Sequence, residues 1–475
     1  MRALTRRALR RFVHRSPVLD SSEMPPRRLT PLEAPVRLEV DGKRIEAREG
    51  EPVAVSLAAA GRLTLGRSVK YHRPRGAACY VGRCDGCLMR VDGVQSVMTC
   101  RLPARDGLKI ETQNVVGSAK LDLLAATDWF FPGGMNHHEM FTWNEAVNKV
   151  MQKVARRIAG IGEIPDAVVP PRPSPEHAVD VLVIGAGPAG LRAAAVLARG
   201  GRSVTVLDEE ATPGGSLRWW PTDVAFEGTR HARAALAERF VARAHEAGAQ
   251  LVPRTSAIAA YDPWEDVAGA PPGVAAPPNR SGAPVIVADG VDHLARYRPT
   301  RTVIASGRHQ GASAFEGADA PGVLEVRGAC VLWSHGVLPG REVVLAGSDP
   351  ALDALREALA AHAEVHGPFP LESMQEAKGR PSVEGAEVLV DGESREIDCD
   401  CVVLSPPSSA VYELAAQLGV GVRWAGAGFE LDVEADGRTA ADDVRVVGSA
   451  AGVHGLDAAV AHAERVATHM LEATR

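Results

Sequence analysis

The sequence predicts a multidomain protein in which a small α+β domain is followed by a larger α/β unit containing two Rossmann-like folds. Three observations support this prediction. Two hairpin patterns turn at Asp-Gly pairs and flank a glycine-rich loop with three cysteines. Farther along, an apolar strand runs directly into a Gly-x-Gly-x-x-Gly turn and a helix. A second apolar strand, at residues 342–346, precedes a turn that has one glycine.

Length and charge restrict the class of protein. The chain has 475 residues, which is enough for about three domains. Its formal net charge is −6, so no nucleic-acid partner is expected. No apolar run approaches the ~18 residues that a membrane helix needs. We expect a cytoplasmic location, with any peripheral membrane association arising through a complex.

The first 34 residues form a basic segment. Six arginines occur before the first acidic residue, Asp20. We expect a disordered tail over residues 1–34. A transit peptide or a membrane-surface helix shows a similar pattern, and Met24 is an alternative start.

The small domain is predicted over residues 35–117. Val36–Val40 and Arg44–Ala47 alternate apolar and polar residues around Asp41-Gly42, which indicates a half-buried hairpin. A helix over Val53–Ala60 follows. A second hairpin is predicted through Asp92-Gly93. This order is typical of a β-grasp ferredoxin-like domain.

Three cysteines between the two hairpins and a fourth at the end of the second carry the first functional signal. Their spacing is C-x4-C-x2-C-x12-C, and they are Cys79, Cys84, Cys87 and Cys100. Three thiolates on one tight loop and a fourth from farther along are typical of a plant-type [2Fe–2S] centre. The glycines that would allow such a crowded loop are Gly76, Gly82 and Gly86. A structural zinc site would more often show two C-x2-C pairs. The sequence therefore predicts a four-cysteine iron–sulfur site.

A connector is predicted over residues 118–177, and the first part of a dinucleotide-binding domain over residues 178–330. In the sequence Gly185-Ala-Gly187-Pro188-Ala189-Gly190, the glycines suit a tight turn that approaches a pyrophosphate and packs a helix on a strand. Asp208 ends the next predicted strand, where it would bind ribose hydroxyls, and Glu209 follows it.

Several later segments favour FAD over NAD in this site. The other predicted contacts to the cofactor are Gly214, Gly215, Ser306, Gly307, Gly448 and Ser449. Flavoproteins with two dinucleotide folds often carry a Gly-Gly turn after the ribose-binding acid, and a second glycine loop after a later strand. Their usual acid after the last glycine is Ser449 here. Residues 426–475 are predicted to return the chain to the FAD-binding domain, with a last helix over Leu456–Glu472.

A second nucleotide-binding-like domain is predicted over residues 331–425. Only Gly347 of a glycine triplet is present, and the segment Glu364–Gly367 is too short for a confident second strand. Binding of NAD(P) there is possible but disfavoured. The remaining cysteines, which we expect to be buried and structural, are Cys330, Cys399 and Cys401.

Two strings carry a family resemblance. Gly66-Arg-Ser-Val-Lys-Tyr-His-Arg-Pro-Arg-Gly76 and the connector ending Ala159-Gly-Ile-Gly-Glu-Ile-Pro165 resemble the sarcosine oxidase alpha subunit. That subunit as a rule lacks the cluster cysteines and has a large C-terminal folate-type domain that is absent here. With its cysteines, the chain is more similar to a fusion of the ferredoxin-like and flavoprotein subunits of hydrogen cyanide synthase. Opine oxidases and D-hydroxyproline dehydrogenases are built similarly.

The resemblance implies an oxidoreductase that acts on C–N bonds as part of a hetero-oligomer. An amino-acid-oxidase-type FAD subunit would carry the substrate site, and the present chain would relay electrons through [2Fe–2S] and FAD. The acceptor would be a quinone, oxygen or a carrier. No catalytic residue is identified in this chain. The alternatives are a self-contained NAD(P)H-dependent flavin and iron–sulfur reductase, and a structural subunit with an inert FAD.

Overall fold

The computed structural model describes residues 28–68, 73–115, 144–158, 172–261, 284–291 and 293–473. Three sets of predictions lie wholly or partly outside these residues: those on the basic tail up to residue 27, on residues 69–72 of the Gly66–Gly76 string, and on most of the connector.

The small unit forms a five-stranded sheet of strand order β2-β1-β7-β5-β6, in which β1 and β7 are parallel. Its elements are β1 (Pro35–Val40), β2 (Lys43–Arg48), α1 (Val53–Ala59), β3 (Gly66–Arg67), β4 (Pro74–Arg75), β5 (Leu88–Val91), β6 (Val94–Met98) and β7 (Lys109–Glu111). Both predicted Asp-Gly turns are confirmed, since Asp41, Gly42, Asp92 and Gly93 all have positive φ. The β-grasp prediction is therefore confirmed.

After the connector helix α2 (Glu145–Ile158), the chain forms a seven-stranded sheet. The elements are β8 (Glu176–Ile184), α3 (Pro188–Arg199), β9 (Val204–Leu207), α4 (Ser216–Trp219), β10 (Val224–Phe226), β11 (Thr229–His231), α5 (Arg233–Glu246), β12 (Gln250–Val252), β13 (Ser256–Tyr261), β14 (Val285–Asp289) and β15 (Leu294–Ile304). Six of the strands have the order β12-β9-β8-β15-β14-β13, and the first four of these are parallel. The seventh strand comes from the end of the chain and pairs with β15. The second half of the central strand β8, Val181–Ile184, is apolar because both of its faces are buried.

A second α/β unit follows. The next elements in chain order are β16 (Arg308–Gln310), β17 (Val323–Glu325), α6 (Val326–Ser334), β18 (Glu342–Gly347), α7 (Pro350–Leu359), β19 (Glu364–Phe369), β20 (Met374–Lys378), β21 (Gly385–Val390), β22 (Glu393–Asp398), β23 (Cys401–Ser405), β24 (Ser408–Ala410), α8 (Glu413–Gln417), β25 (Val422–Trp424) and β26 (Phe429–Leu431). The elements from β17 to β23 form the second unit, whereas β24, α8 and β26 contribute buried residues to the core of the first. Four parallel strands form one sheet of order β17-β23-β18-β19. The segment Glu364–Gly367, from which no confident second strand was predicted, lies in strand β19. Pairing with β18 supplies hydrogen bonds that the local pattern does not reveal.

The end of the chain returns to the first unit. Strand β27 (Val444–Val446) pairs in parallel with β15, and a 3-10 turn over Gly448–Ala451 follows. The last helix is α9 (Leu456–Glu472), with the bounds predicted from sequence. It packs on α3 and covers one face of the large sheet.

The small unit shares an apolar core with the second α/β unit. Leu57 of α1 belongs to the same buried cluster as Cys330 of α6 and Leu352 of α7. Across this junction the Arg28 guanidinium makes a buried two-pronged ion pair with Glu51, at 2.6 and 3.1 Å. The ferredoxin-like unit is thus packed into the rest of the chain.

The sequence predicted no helix that could span a membrane. Among the residues that the structure describes, no helix is both long and apolar enough to cross a membrane.

Candidate cluster and dinucleotide sites

The four cysteine sulfurs lie in two pairs. The Sγ atoms of Cys79 and Cys84 are 3.4 Å apart, and those of Cys87 and Cys100 are 3.3 Å apart. Sulfur ligands about 2.3 Å from one tetrahedral metal lie roughly 3.7 Å apart. Two such pairs suit two irons better than one, since each iron of a [2Fe–2S] centre takes two protein thiolates. Within the described ranges, no three His, Cys, Asp or Glu side chains are placed to hold a single metal ion.

The loop around these sulfurs turns its amides inward. The N–H groups of Val81, Arg83 and Cys84 all donate to the Cys79 sulfur, at 3.2–3.4 Å. The turn requires positive φ at Gly82, which is +79°. Three convergent N–H dipoles stabilise negative charge on sulfur.

Within each pair the two thiols have opposite pKa shifts. A sulfur–sulfur hydrogen bond lowers the pKa of Cys84 to about 5 and raises the pKa of Cys79. The same kind of contact lowers the pKa of Cys87 and raises the pKa of Cys100. In each pair, the thiol with the lowered pKa forms the thiolate more readily than its partner, and the thiolate is the form that binds metal.

The glycine-rich turn leaves no room for side chains where the backbones cross. A Cβ atom at Gly190 would lie 2.0 Å from the carbonyl oxygen of Gly185, and one at Gly185 would lie 2.5 Å from that of Ala305. Helix α3 begins with Pro188 at its first position, and its N-cap Gly187 has no side chain to cap it. The N-terminus of α3 is thus open to a phosphate group.

Asp208 connects this turn to the following loop. Its carboxylate accepts the N–H of Ala186 at 2.5 Å and the N–H of Glu210 at 2.8 Å. The side chain is buried, and burial raises its pKa to about 6. The position at the end of β9 suits a contact to ribose hydroxyls.

The predicted Gly-Gly turn closes on the glycine-rich turn. The N–H of Gly214 donates to the Ala186 carbonyl oxygen at 2.8 Å. Gly215 has φ +55°, and a Cβ atom there would lie 2.7 Å from the Cα of Gly187. Only a glycine fits both the conformation and the space.

The last two predicted loops lie beside this turn. A Cβ atom at Gly448 would lie 2.7 Å from that of Ala189, and one at Gly307 would lie 3.7 Å from the Ser449 hydroxyl oxygen. Ser306 donates its hydroxyl to the Val411 carbonyl oxygen at 2.9 Å. The structure therefore brings together the glycine loops that the sequence assigns to one cofactor.

Sequence reasoning missed His462 of α9. It is 2 % exposed, and its Nδ1 accepts the N–H of Gly448 at 3.3 Å. Burial lowers its pKa, which favours the neutral ring that this bond requires. No sequence motif indicates this role, because His462 lies in the middle of a helix and contacts the Gly448 loop only in the folded chain.

The second α/β unit has a different helix start. Both α3 and α7 begin with a proline, but Asp349 caps α7 by accepting the N–H of Ala351 at 2.8 Å, whereas the α3 N-cap Gly187 has no side chain. A carboxylate thus occupies the position that a pyrophosphate takes in a working dinucleotide site. This geometry argues against NAD(P) at that turn.

The cysteine loop packs directly on both α/β units. The carbonyl oxygen of Ala78 accepts the N–H of Glu325 at 3.0 Å, and a Cβ atom at Gly328 would lie 2.1 Å from that oxygen. Arg83 lies 3.5 Å from Glu209, so this predicted cofactor contact faces the cysteine loop.

A group of charged residues beside the cysteine loop was also missed. The guanidinium of Arg327 lies over the Trp219 ring, 5.1 Å from its centroid, and donates to the Arg308 carbonyl oxygen at 2.7 Å. Burial and the nearby Cys84 raise the pKa of Glu325 to about 7. These residues are far apart in sequence from the glycine and cysteine motifs, which explains why pattern reasoning did not connect them.

Comparisons with known proteins agree with both sites. Residues 33–115 match the model described as a 2Fe-2S iron-sulfur cluster binding domain, and residues 180–269 match FAD dependent oxidoreductases. The sarcosine oxidase subunit alpha of Rhizobium meliloti is 31% identical over 68% of this chain and 33% of its own length. The hydrogen cyanide synthase subunit HcnA of Pseudomonas aeruginosa is 31% identical over 17% of this chain and 77% of its own length.

The chain belongs to the family of sarcosine oxidase alpha subunits and hydrogen cyanide synthase subunits. Its cofactors are a [2Fe–2S] cluster and FAD. The chain spans about a third of the length of the sarcosine oxidase subunits that it matches. A crystal structure of L-proline dehydrogenase from P. horikoshii shares its fold. That structure has a TM-score of 0.71 and 22% identity, and the match covers 95% of this chain and 76% of that one.

Proposed function

We propose that this chain is the electron-transfer subunit of a hetero-oligomeric dehydrogenase or oxidase that acts on C–N bonds of amines or amino acids. The observation that carries the proposal is the contact between the two-pair cysteine loop and the loop that follows β9 and the predicted FAD ligand Asp208 in the same chain. Bound flavin exchanges electrons in pairs or singly, and a [2Fe–2S] cluster exchanges them singly. One chain with both sites is suited to connect a two-electron substrate with a one-electron path.

The proposed ligand roles follow from the sulfur pairs. Cys79 and Cys84 would hold one iron, and Cys87 and Cys100 the other. The inward amides at Cys79 would stabilise the charge on its sulfur.

The proposed FAD contacts follow from the glycine loops. The open N-terminus of α3 would bind the pyrophosphate, and Asp208 would accept from the ribose hydroxyls. Ser449, with its hydroxyl beside Gly307, would take the place of the usual acid near the flavin.

A partner subunit would carry the substrate site. The matched relatives are named as subunits of sarcosine oxidase, opine oxidase and hydrogen cyanide synthase, which supports an assembly of more than one chain. The substrate class we propose is N-methyl, cyclic or related amino acids. A cytoplasmic location stays a prediction.

The test is reduction of the tagged full chain purified with its partner. Anaerobic addition of N-methyl and cyclic amino acids should bleach the flavin absorbance and produce the EPR signal of a reduced [2Fe–2S] cluster. A Cys84→Ser complex should retain the flavin bleaching and lose the EPR signal. The isolated wild-type chain should react slowly with NADH, because Asp349 caps the second nucleotide unit. Rapid bleaching by NADH, with no response to amino acids, would show a nicotinamide-dependent reductase instead.

A further inference from the structure

Arg101 crosses from the cluster loop to the dinucleotide unit. It follows the cluster ligand Cys100 directly in sequence. Its Nη1 donates to the Glu210 carboxylate at 2.7 Å, and its Nη2 donates to the backbone carbonyl oxygen of Glu209. The guanidinium therefore holds both a side chain and the backbone of the loop after β9.

That loop leads straight to the dinucleotide turn. The N–H of Glu210 donates to one oxygen of Asp208, and the other oxygen of Asp208 accepts the N–H of Ala186. Hydrogen bonds thus connect Arg101 with Glu210 and Glu210 with Asp208. A further bond connects Asp208 with Ala186 of the glycine-rich turn. Each bond has at least one charged partner, which makes it stronger than a bond between neutral groups.

The cluster side of Arg101 is held as firmly. A Cβ atom at Gly82 would lie 3.0 Å from the Arg101 Cδ, so the cysteine loop packs on the arginine stem. Arg83 of the same loop makes a second, longer contact with Glu209 at 3.5 Å. A shift of the cysteine loop would therefore move Arg101, and with it the Asp208 loop.

We propose that Arg101 is a positioning residue that couples the cluster site to the FAD site, so that a bound cluster tightens FAD binding. With the cluster in place, the loop around Gly82 is ordered and Arg101 holds Glu210 and Asp208 in the geometry for ribose. The coupling is reciprocal, since linkage requires each cofactor to favour the other by the same factor. The inference rests on the ligand roles proposed above and not on the direction of electron flow.

The test compares FAD dissociation constants of the full chain with its cluster and after anaerobic removal of iron by a chelator. In the wild type, the cluster should tighten FAD binding roughly fivefold or more. In Arg101→Gln this ratio should fall to about one, because a neutral amide cannot hold both partners. The matched control is Arg105→Gln, which removes an exposed arginine paired with Asp92 on the same unit and should keep the wild-type ratio.

Two further measurements keep the inference falsifiable. If Arg101→Gln does not load a cluster, Glu210→Ala removes the side-chain acceptor of Arg101 and should give the same loss of ratio. Addition of FAD should also shift the EPR signal of the reduced cluster in the wild type and not in either variant. The inference would be overturned if the cluster leaves FAD affinity unchanged in the wild type, or if Glu210→Ala keeps the wild-type ratio. Either result would leave the amino-acid reduction experiment unaffected.

Discussion

The pH dependence of FAD binding should report the ionisation of Asp208. Burial raises its pKa to about 6 from an ordinary value of 3.8, a shift that corresponds to about 3 kcal/mol. In the FAD-free chain the buried carboxylate therefore favours the protonated form at pH 5. Ribose hydroxyls donate to the ionised form, so binding of FAD should lower this pKa and release a proton.

The magnitude follows from that pKa. With a value of about 6, the ionised fraction is about one tenth at pH 5 and nine tenths at pH 7. FAD should thus bind about tenfold more weakly at pH 5 than at pH 7, with no further change above pH 7. The pKa of Asp208 is higher in the folded than in the unfolded chain. Ionisation of Asp208 should therefore lower the free energy of unfolding of the FAD-free chain as the pH rises from about 4 to about 6.

The assay is calorimetric titration of FAD into the FAD-free chain at several pH values. Asp208→Asn should bind FAD more weakly and lose the tenfold change, since an amide does not titrate. Asp180→Asn is the matched control, since Asp180 lies on β8 in an ion pair with Arg202 and should keep the wild-type profile. His462, which contacts the Gly448 loop, is also a titratable group, and burial lowers its pKa. Any pH dependence of FAD binding that persists in Asp208→Asn is therefore assigned to a titratable group other than Asp208. A flat wild-type profile, or an unchanged slope in Asp208→Asn, would refute the reasoning.

Three further predictions concern the cluster, the junction and the turn. Cys87→Ser should abolish or strongly alter the [2Fe–2S] EPR signal while FAD stays bound. The control Cys330→Ala, outside the loop, should leave that signal intact. An unchanged signal in Cys87→Ser would mean that the ligand assignment is wrong. Glu51→Gln should lower the free energy of unfolding by about 3 kcal/mol in denaturant titrations, because the buried Arg28 would lose its charged partner; a loss below about 1 kcal/mol would contradict this. Gly190→Ala should abolish FAD binding in the same calorimetric assay without loss of the EPR signal, since its Cβ would overlap the Gly185 carbonyl oxygen, and retained affinity would count against the proposed turn.

Local patterns predicted the elements that position both sites. The Asp-Gly hairpins, the helix after Gly190 and the last helix over Leu456–Glu472 were all read from short segments. Each depends on neighbours in sequence: glycine for a left-handed turn, or apolar residues at helical spacing. The cysteine spacing likewise predicted one four-thiolate site, and in the structure the four sulfurs lie in two close pairs.

Contacts between distant segments could not be predicted this way. Arg101 and Glu210 are 109 residues apart, and each looks like an ordinary surface charge in sequence. His462 has the spacing of any core residue on α9, and only the fold shows that it holds the Gly448 loop. The strand β19 depends on pairing with β18 rather than on its own pattern. Such features follow from tertiary packing, which a single sequence does not encode locally.

The shared core between the small unit and α6 and α7 has a consequence for assembly. The apolar surfaces that are buried between the two units must associate with each other before they associate with another molecule. Within one chain this search is intramolecular, so its effective concentration is set by the connector and not by how much protein the cell makes. HcnA is matched over most of its length by 81 residues of this chain, about the extent of the small unit. Covalent fusion of such a unit therefore ensures one iron–sulfur unit for every flavoprotein unit, at any level of expression.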